Sequence, residues 1–249
     1  MKILVTGGGF IGRALRREYP SLSITFLSRN KKPGPWIKGE VTAFKFPEPD
    51  FTHIIHAPLF EPIWYKSEPE GFQRVKEFAK LCNAKLLYVS SGAAQDGTDD
   101  YAHWKRVTEK LAHEDYIARL YAFIGPDLQP RYAIMDFIHQ AMKTGHITIK
   151  GDGQNTRSWM WQGDMAKSLI GIMEDGYKGK PYEVGSFEPH TITSGAMAVS
   201  RETGATVSIE GNTQGTMSYL PFYSRMWRDG RPYKPLEESI RLTIKAWAS

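Results

Sequence analysis

The sequence predicts an α/β fold, a doubly wound and mostly parallel sheet with a smaller C-terminal lobe. Two observations predict it. Short apolar and β-branched runs alternate with segments of helical spacing through the first half of the chain, as when crossover helices lay strands side by side. From about Gly125 the punctuation changes, and Gly125-Pro126, Gly151-Asp152-Gly153 and the stretch 211–215 cut the chain into shorter elements.

Residues 2–6 form the first strand, which ends in glycines, and residues 10–19 follow with helical spacing of Phe10, Ile11 and Leu15 and with basic residues outside. Residues 23–27 (SITFL), 41–46 and 52–57 (THIIHA) read as the second, third and fourth strands. Only Pro47-Glu48-Pro49-Asp50 separates the third from the fourth, too short for a helix. Residues 72–84 are helical, 85–90 (KLLYVS) a buried strand, 101–113 helical and 116–122 a strand. A sheet of this kind places its ligand crevice beyond the carboxyl ends of the strands.

With 249 residues, 41% hydrophobic and 24% charged, the chain has the composition of a globular protein with a sizeable core. The apolar start breaks at Gly7-Gly8-Gly9 before a signal segment could form, and no later run approaches a membrane span. A soluble, cytoplasmic protein with no membrane partner is expected. Cys82 is the single cysteine, which excludes an intramolecular disulfide and a thiolate zinc site and agrees with a reducing compartment. The net charge of +5 is scattered, with Lys31-Lys32 the one short cluster near a motif and no aromatic-interleaved basic stripe. That pattern argues against nucleic acid and for a small ligand bearing phosphate.

Gly7-Gly8-Gly9-Phe10-Ile11-Gly12 is a G-x-G-x-x-G run set between a strand and a helix. Its first glycine allows the tight turn, its second lets the backbone approach a pyrophosphate, and its third lets helix and strand pack closely. The helix N-terminus then faces the anion. A dinucleotide site results, and the end of the second strand decides which dinucleotide. NAD sites place an acidic residue there for the ribose 2′-hydroxyl, whereas NADP needs cations for its extra phosphate. Here the chain reads Ser28-Arg29-Asn30-Lys31-Lys32, and no acid occurs between Tyr19 and Gly39. NADP is therefore expected rather than NAD, with Ser28 and Arg29 at the 2′-phosphate.

Tyr101-Ala102-His103-Trp104-Lys105 is a Y-x-x-x-K, which on a helix sets both side chains on one face, a turn apart. A phenol titrates near ~10 in water, and a neighbouring ammonium favours its ionised form, so such a tyrosine can exchange a proton with a carbinol near neutral pH. No metal is expected. His53 and His56 are three apart in a strand and so point to opposite faces, and the other histidines show no ligand spacing. Trp159 and Trp161 share one face of a strand and read as core rather than as a base-stacking platform, and Arg225 and Arg228 read as solvated surface rather than as contacts of a substrate phosphate.

Together these segments resemble the extended short-chain dehydrogenase/reductase family of nucleotide-sugar epimerases, dehydratases and ketoreductases, nearly end to end. ILVTGGGFIGRAL resembles its opening fingerprint with one residue fewer in the glycine turn, THIIHAP its fourth strand, YAHWKRVTEKL its catalytic helix and ARLYAFIGP its sixth strand. IKGDGQNTRSWMWQGDMAKSLI resembles its most specific segment, and YEVGS and YKPLEESIRLTIKAW also fit. The resemblance implies a Rossmann-like cofactor domain over residues 1–125. It implies a mainly substrate-binding lobe over 126–249, with some segments returning to the first domain. Tyr101 would be the acid/base, Lys105 would orient the nicotinamide ribose, and Arg157 would grip the diphosphate or nucleoside of a nucleotide-diphosphate sugar. Gly7, Gly9, Phe10, Ile11, Gly12, Ser28, Arg29, Ala57 and Pro58 would bind the cofactor together with Tyr101 and Lys105. Members commonly form homodimers, here through the helices 72–84 and 101–113.

The chain also departs from the family. The Ser or Thr that holds the reacting oxygen falls on Gly92 of Ser90-Ser91-Gly92, and either Ser91 substitutes for it or both serines are strand-end caps. The link from Gly92 to Tyr101 is short, and the Asn that often follows the sixth strand is Ala122. Family dehydratases and decarboxylases carry an acid just after the catalytic Thr, whereas Gly92-Ala93-Ala94-Gln95 has none and Asp96 lies further on. The expectation is an NADPH-dependent reductase of a keto-deoxysugar nucleotide. The alternatives are an epimerase with tightly bound NAD(P) and a catalytically weak NADP-binding sensor or scaffold, which would not need Tyr101, Lys105 and Arg157 together.

Overall fold

In the computed structural model, residues 1–249 are described apart from 8, 30–33, 44, 58–61, 212–219, 223, 225, 229 and 249. The chain divides into two units, Met1–Leu120 with Ala166–Val184, and Tyr121–Met165 with Gly185–Ser249.

The first unit opens with β1 (Lys2–Thr6), α1 (Phe10–Glu18), β2 (Ser23–Ser28), β3 (Trp36–Lys38) and β4 (His53–His56). A 3₁₀ turn, Pro62–Ser67, leads to α2 (Glu68–Cys82), β5 (Lys85–Ser91), the short α3 (Ala93–Asp96), α4 (Asp100–Leu111) and β6 (Tyr116–Leu120). The second unit takes β7 (Ala122–Ile124), α5 (Ala133–Thr144), β8 (His146–Lys150), β9 (Thr156–Arg157) and β10 (Trp159–Trp161). Then α6 (Gln162–Asp175) carries the chain back to the first unit and to β11 (Pro181–Val184). The chain ends in the second unit with β12 (His190–Thr191), α7 (Ile192–Thr203), β13 (Thr206–Glu210) and α8 (Leu236–Ala248).

Seven strands of the first unit form one sheet in the order β11-β6-β5-β4-β1-β2-β3, with each adjacent pair parallel. Helices cover such a sheet on both faces, so its central strands read as continuous apolar runs. All residues of β4 and β6, and all but the first of β1, are buried. In the second unit three two-stranded sheets, β10-β7, β12-β9 and β13-β8, accompany the helices. Trp159 and Trp161 are both buried there. No helix among the described residues is long and apolar enough to cross a membrane.

The third strand is not where the apolar alternation of 41–46 places it. It is β3, paired with β2 through Phe26↔Trp36 and Ser28↔Lys38, while residues 41–43 form a turn. The apolar residues of the expected strand instead pack against α2. Phe46 stacks on Phe78 with ring centroids 4.5 Å apart, and Val41 Cγ1 lies 3.2 Å from the Cβ position of Gly71. Likewise α2 begins at Glu68 rather than at the first apolar residue, Phe72. Its first turn is Glu68-Pro69-Glu70, in which proline needs no amide partner and the acids face the positive helix end. It stops at Cys82 because Asn83 adopts a left-handed conformation, φ 50°. The strand expected over 116–122 is two strands, β6 and β7, in different units.

Candidate active site

The glycine run forms the hinge between β1 and α1. Gly7 has φ 87°, a conformation that disfavours side chains, and its amide donates to the Leu27 carbonyl at 3.0 Å. Gly9 caps α1, whose first turn carries no acidic residue, so the positive end of that helix is not neutralised from within. Phe10 is half-buried and Ile11 is buried.

A cavity of about 600 Å³, counting its opening to solvent, lies at the carboxyl ends of these strands. Its wall comes from Thr6 and Gly7, from Leu27, Ser28 and Arg29, from the loop Gly39 to Thr42, and from His56, Ser67, Glu68 and Gly71. The position is the one where doubly wound sheets bind ligands. A left-handed glycine, an unneutralised helix start and an arginine on the wall are a set that fits a dinucleotide. Ser28 Oγ accepts from Trp36 Nε1 at 3.1 Å. Ala57 is buried, and its amide donates to the Thr6 carbonyl at 3.0 Å. Pro58, Lys31, Lys32 and Arg225 lie outside the described residues.

His56 closes the cavity floor. Its Nδ1 is 2.6 Å from Thr6 Oγ1, and its ring lies against those of Phe72 and Tyr88. Burial, and then the charge of Lys105, lower its pKa to about 3. The imidazole is therefore neutral, a wall rather than an acid. His53, on the other face of β4, instead pairs with Glu174, Nε2 to Oε1 at 2.7 Å.

Tyr101 and Lys105 stand on the first turns of α4, whose N-cap Asp99 accepts from the Ala102 amide at 2.8 Å. Lys105 Nζ is 5.6 Å from the centroid of the Tyr101 ring, and Tyr65 packs on the same ring at 5.1 Å. The structure thus brings the phenol and the ammonium together. It also places Glu68 beside them, 2.9 Å from Lys105 Nζ and on the cavity wall.

The two serines ending β5 diverge. Ser90 Oγ donates to Glu109 Oε1 at 2.6 Å, and Arg119 holds the same carboxylate through Nε at 2.8 Å and Nη2 at 2.7 Å, a buried network tying β5, α4 and β6. Ser91 Oγ accepts from the Ala93 amide at 3.2 Å, just before α3, whose N-cap is Gly92. Asp96 is exposed and accepts from Gln95 Nε2 at 2.8 Å. Arg157, in the second unit, is half-buried on β9, and its Nη1 donates to the Thr156 carbonyl at 2.9 Å. No group of three or more metal-ligating side chains occurs among the described residues.

Sequence reasoning missed Glu40 and Glu68 as wall residues. Glu40 lies one residue beyond the acid-free window that favoured NADP, and Glu68 is separated from Lys105 by 37 positions, so no local pattern links them.

The family model described as NAD dependent epimerase/dehydratase family matches residues 3–185. UDP-glucuronic acid decarboxylase 1 of Xenopus tropicalis is 23% identical over 300 residues, covering 98% of this chain and 71% of that protein. UDP-glucuronic acid decarboxylase 6 of Arabidopsis thaliana is 26% identical over 242 residues, covering 75% and 69%. Among solved structures, TunA, an NAD-dependent NDP-hexosamine 5,6-dehydratase, superposes with a TM-score of 0.82 at 19% identity, over 100% of this chain and 98% of that one. A UDP-N-acetylglucosamine 4-epimerase from Methanobrevibacter ruminantium gives 0.81 at 20% identity, over 99% and 98%. At these identities the superpositions establish the fold.

Proposed function

The chain belongs to the NAD-dependent epimerase/dehydratase family, and we propose that within it the protein is an NADPH-dependent reductase of a keto-deoxysugar carried on a nucleoside diphosphate. The observation that carries this reading is the buried Lys105 ammonium beside the Tyr101 phenol, with no carboxylate in the Gly92 to Gln95 segment that follows β5. A reductive step needs one proton donor, and Tyr101 supplies it to the sugar oxygen. Elimination or decarboxylation needs a further proton handled at a second carbon. Asp96, the next acid along the chain, is exposed, and Glu68 is held by Lys105 and Tyr88.

When bound, NADPH supplies the hydride. Gly7 and the glycine-capped start of α1 would hold its pyrophosphate, and the Arg29 guanidinium its 2′-phosphate. Arg157 would hold the diphosphate of the sugar nucleotide. Thr6 and the neutral His56 keep the cavity floor packed and uncharged. Given its composition, the protein would work in the cytoplasm.

An epimerase is the second reading, favoured by the description of the family model. It uses the same tyrosine and lysine, but returns the hydride to the same carbon and leaves no net oxidised cofactor. The purified protein, given NADPH and a panel of nucleotide-linked 4-keto-6-deoxy sugars beside a Tyr101→Phe control, separates the two. The reductase reading requires absorbance loss in proportion to sugar, abolished in the control. Inversion of a carbinol carbon in a nucleotide-linked sugar given with NAD⁺ or NADP⁺, with no net reduced cofactor formed and none of it in the control, would establish the epimerase.

A further inference from the structure

Lys105 does not meet Tyr101 as a lone ammonium. Its Nζ donates to Glu68 Oε1 at 2.9 Å and to the Val89 carbonyl at 3.2 Å, and the Lys105 and Glu68 side chains are each 3% exposed. The Tyr88 hydroxyl donates to the same carboxylate oxygen. A buried carboxylate is costly unless it is paired and hydrogen-bonded. Here two donors meet it, and Glu68 is the first residue of α2, the end of a helix that favours negative charge.

We propose that Glu68 is a positioning residue for the proton transfer: it fixes the Lys105 ammonium against β5 and, by offsetting its charge, keeps Tyr101 protonated to higher pH than lysine alone would allow. The proposal rests on the reading of Tyr101 and Lys105 as the proton-transfer pair. An uncompensated ammonium at this range favours phenolate, whereas a carboxylate in contact with that ammonium brings the pair near neutrality. The protonated phenol is the form that a reductive step consumes.

The other titratable groups facing the pair do not take this part. His56 on β4 is neutral, and the Tyr88 phenol on β5 is pushed well above its usual range by burial and then by Glu68 itself. Tyr65 faces Tyr101 from the 3₁₀ turn as a further phenol. Arg29 and Glu40 are the other charged groups on the cavity wall.

The test is an NMR titration of the full chain labelled with [¹³Cζ]tyrosine, with the Tyr101 signal assigned by its loss in Tyr101→Phe. Removing the negative charge in Glu68→Gln favours phenolate, so the Tyr101 midpoint falls by about one pH unit or more. Glu68→Asp, with its shorter arm, falls between that variant and the unmodified protein. The kcat/KM profile moves in the same direction. A Tyr101 midpoint that is unchanged or raised in Glu68→Gln overturns the proposal, and if that variant does not fold, an unchanged midpoint in Glu68→Asp does so. The titration needs neither cofactor nor sugar. A shifted midpoint without any sugar reduction therefore sinks the reductase reading alone, and sugar reduction with an unmoved midpoint sinks the Glu68 assignment alone.

Discussion

Gly12 on α1 and Phe26 on β2 pack so closely that a Cβ on Gly12 would lie 2.3 Å from Phe26 Cε1 and 3.0 Å from its Cδ1. The ring is 1% exposed, with the Arg16 guanidinium 4.7 Å from its centroid, so it has little space to retreat. Overpacking of this kind destabilises by about 1–3 kcal/mol. Gly12→Ala is expected to lose that much in urea denaturation, and Phe26→Leu added to it to recover a large part.

Tyr101→Phe keeps the ring and its packing on Tyr65 but removes the transferable proton. Turnover of the keto sugar is expected to fall roughly 10²–10⁴-fold, the range for losing a general acid. NADPH affinity, followed by quenching of protein fluorescence, is expected to fall far less than turnover, since the ring that remains keeps its packing and only the hydroxyl is lost.

Arg29→Ala separates the two cofactors. If the guanidinium meets the 2′-phosphate, its loss removes a charge-assisted hydrogen bond worth about 1.5–3 kcal/mol, or at least tenfold in KM for NADPH. KM for NADH is expected to stay the same. Equal changes for both cofactors would locate Arg29 away from that phosphate. Glu40 on the same wall gives the complementary variant, since Glu40→Gln should leave NADPH use intact.

The α/β class, the parallel sheet and the pairing of Tyr101 with Lys105 were legible because each rests on short-range periodicity: apolar runs buried on both faces, and a four-residue spacing on one helix. The third strand was not, because Val41 and Phe46 alternate like strand residues while they serve contacts with α2, at Gly71 and Phe78. The surroundings of Ser90 and Ser91 needed coordinates, since only the fold brings Glu109 and Arg119 to the first, and the Ala93 amide meets the second where β5 turns into α3. Glu68 was illegible for a similar reason. Its partners Tyr88 and Lys105 lie 20 and 37 positions away on other elements.

His56 makes stability depend on pH. Folded, it resists protonation down to about pH 3, whereas its ordinary value is 6.5. Between those values the unfolded chain takes up the proton and the folded chain does not, so stability present above about 6.5 is lost as pH falls, by at most about 1.4 kcal/mol per pH unit. Urea midpoints at pH 7, 6 and 5 should decline in the unmodified protein and decline less steeply in His56→Gln.

The most direct measurement of the reductase reading follows the hydride itself. The protein is given NADPH deuterated at the transferred position and a nucleotide-linked 4-keto-6-deoxy sugar, and the product is read by mass spectrometry and NMR beside the amount of NADP⁺ formed. The account predicts one deuterium at the former carbonyl carbon of a reduced sugar and one NADP⁺ for each product molecule. A product that is an isomer of the substrate, with no NADP⁺ accumulated, would contradict it.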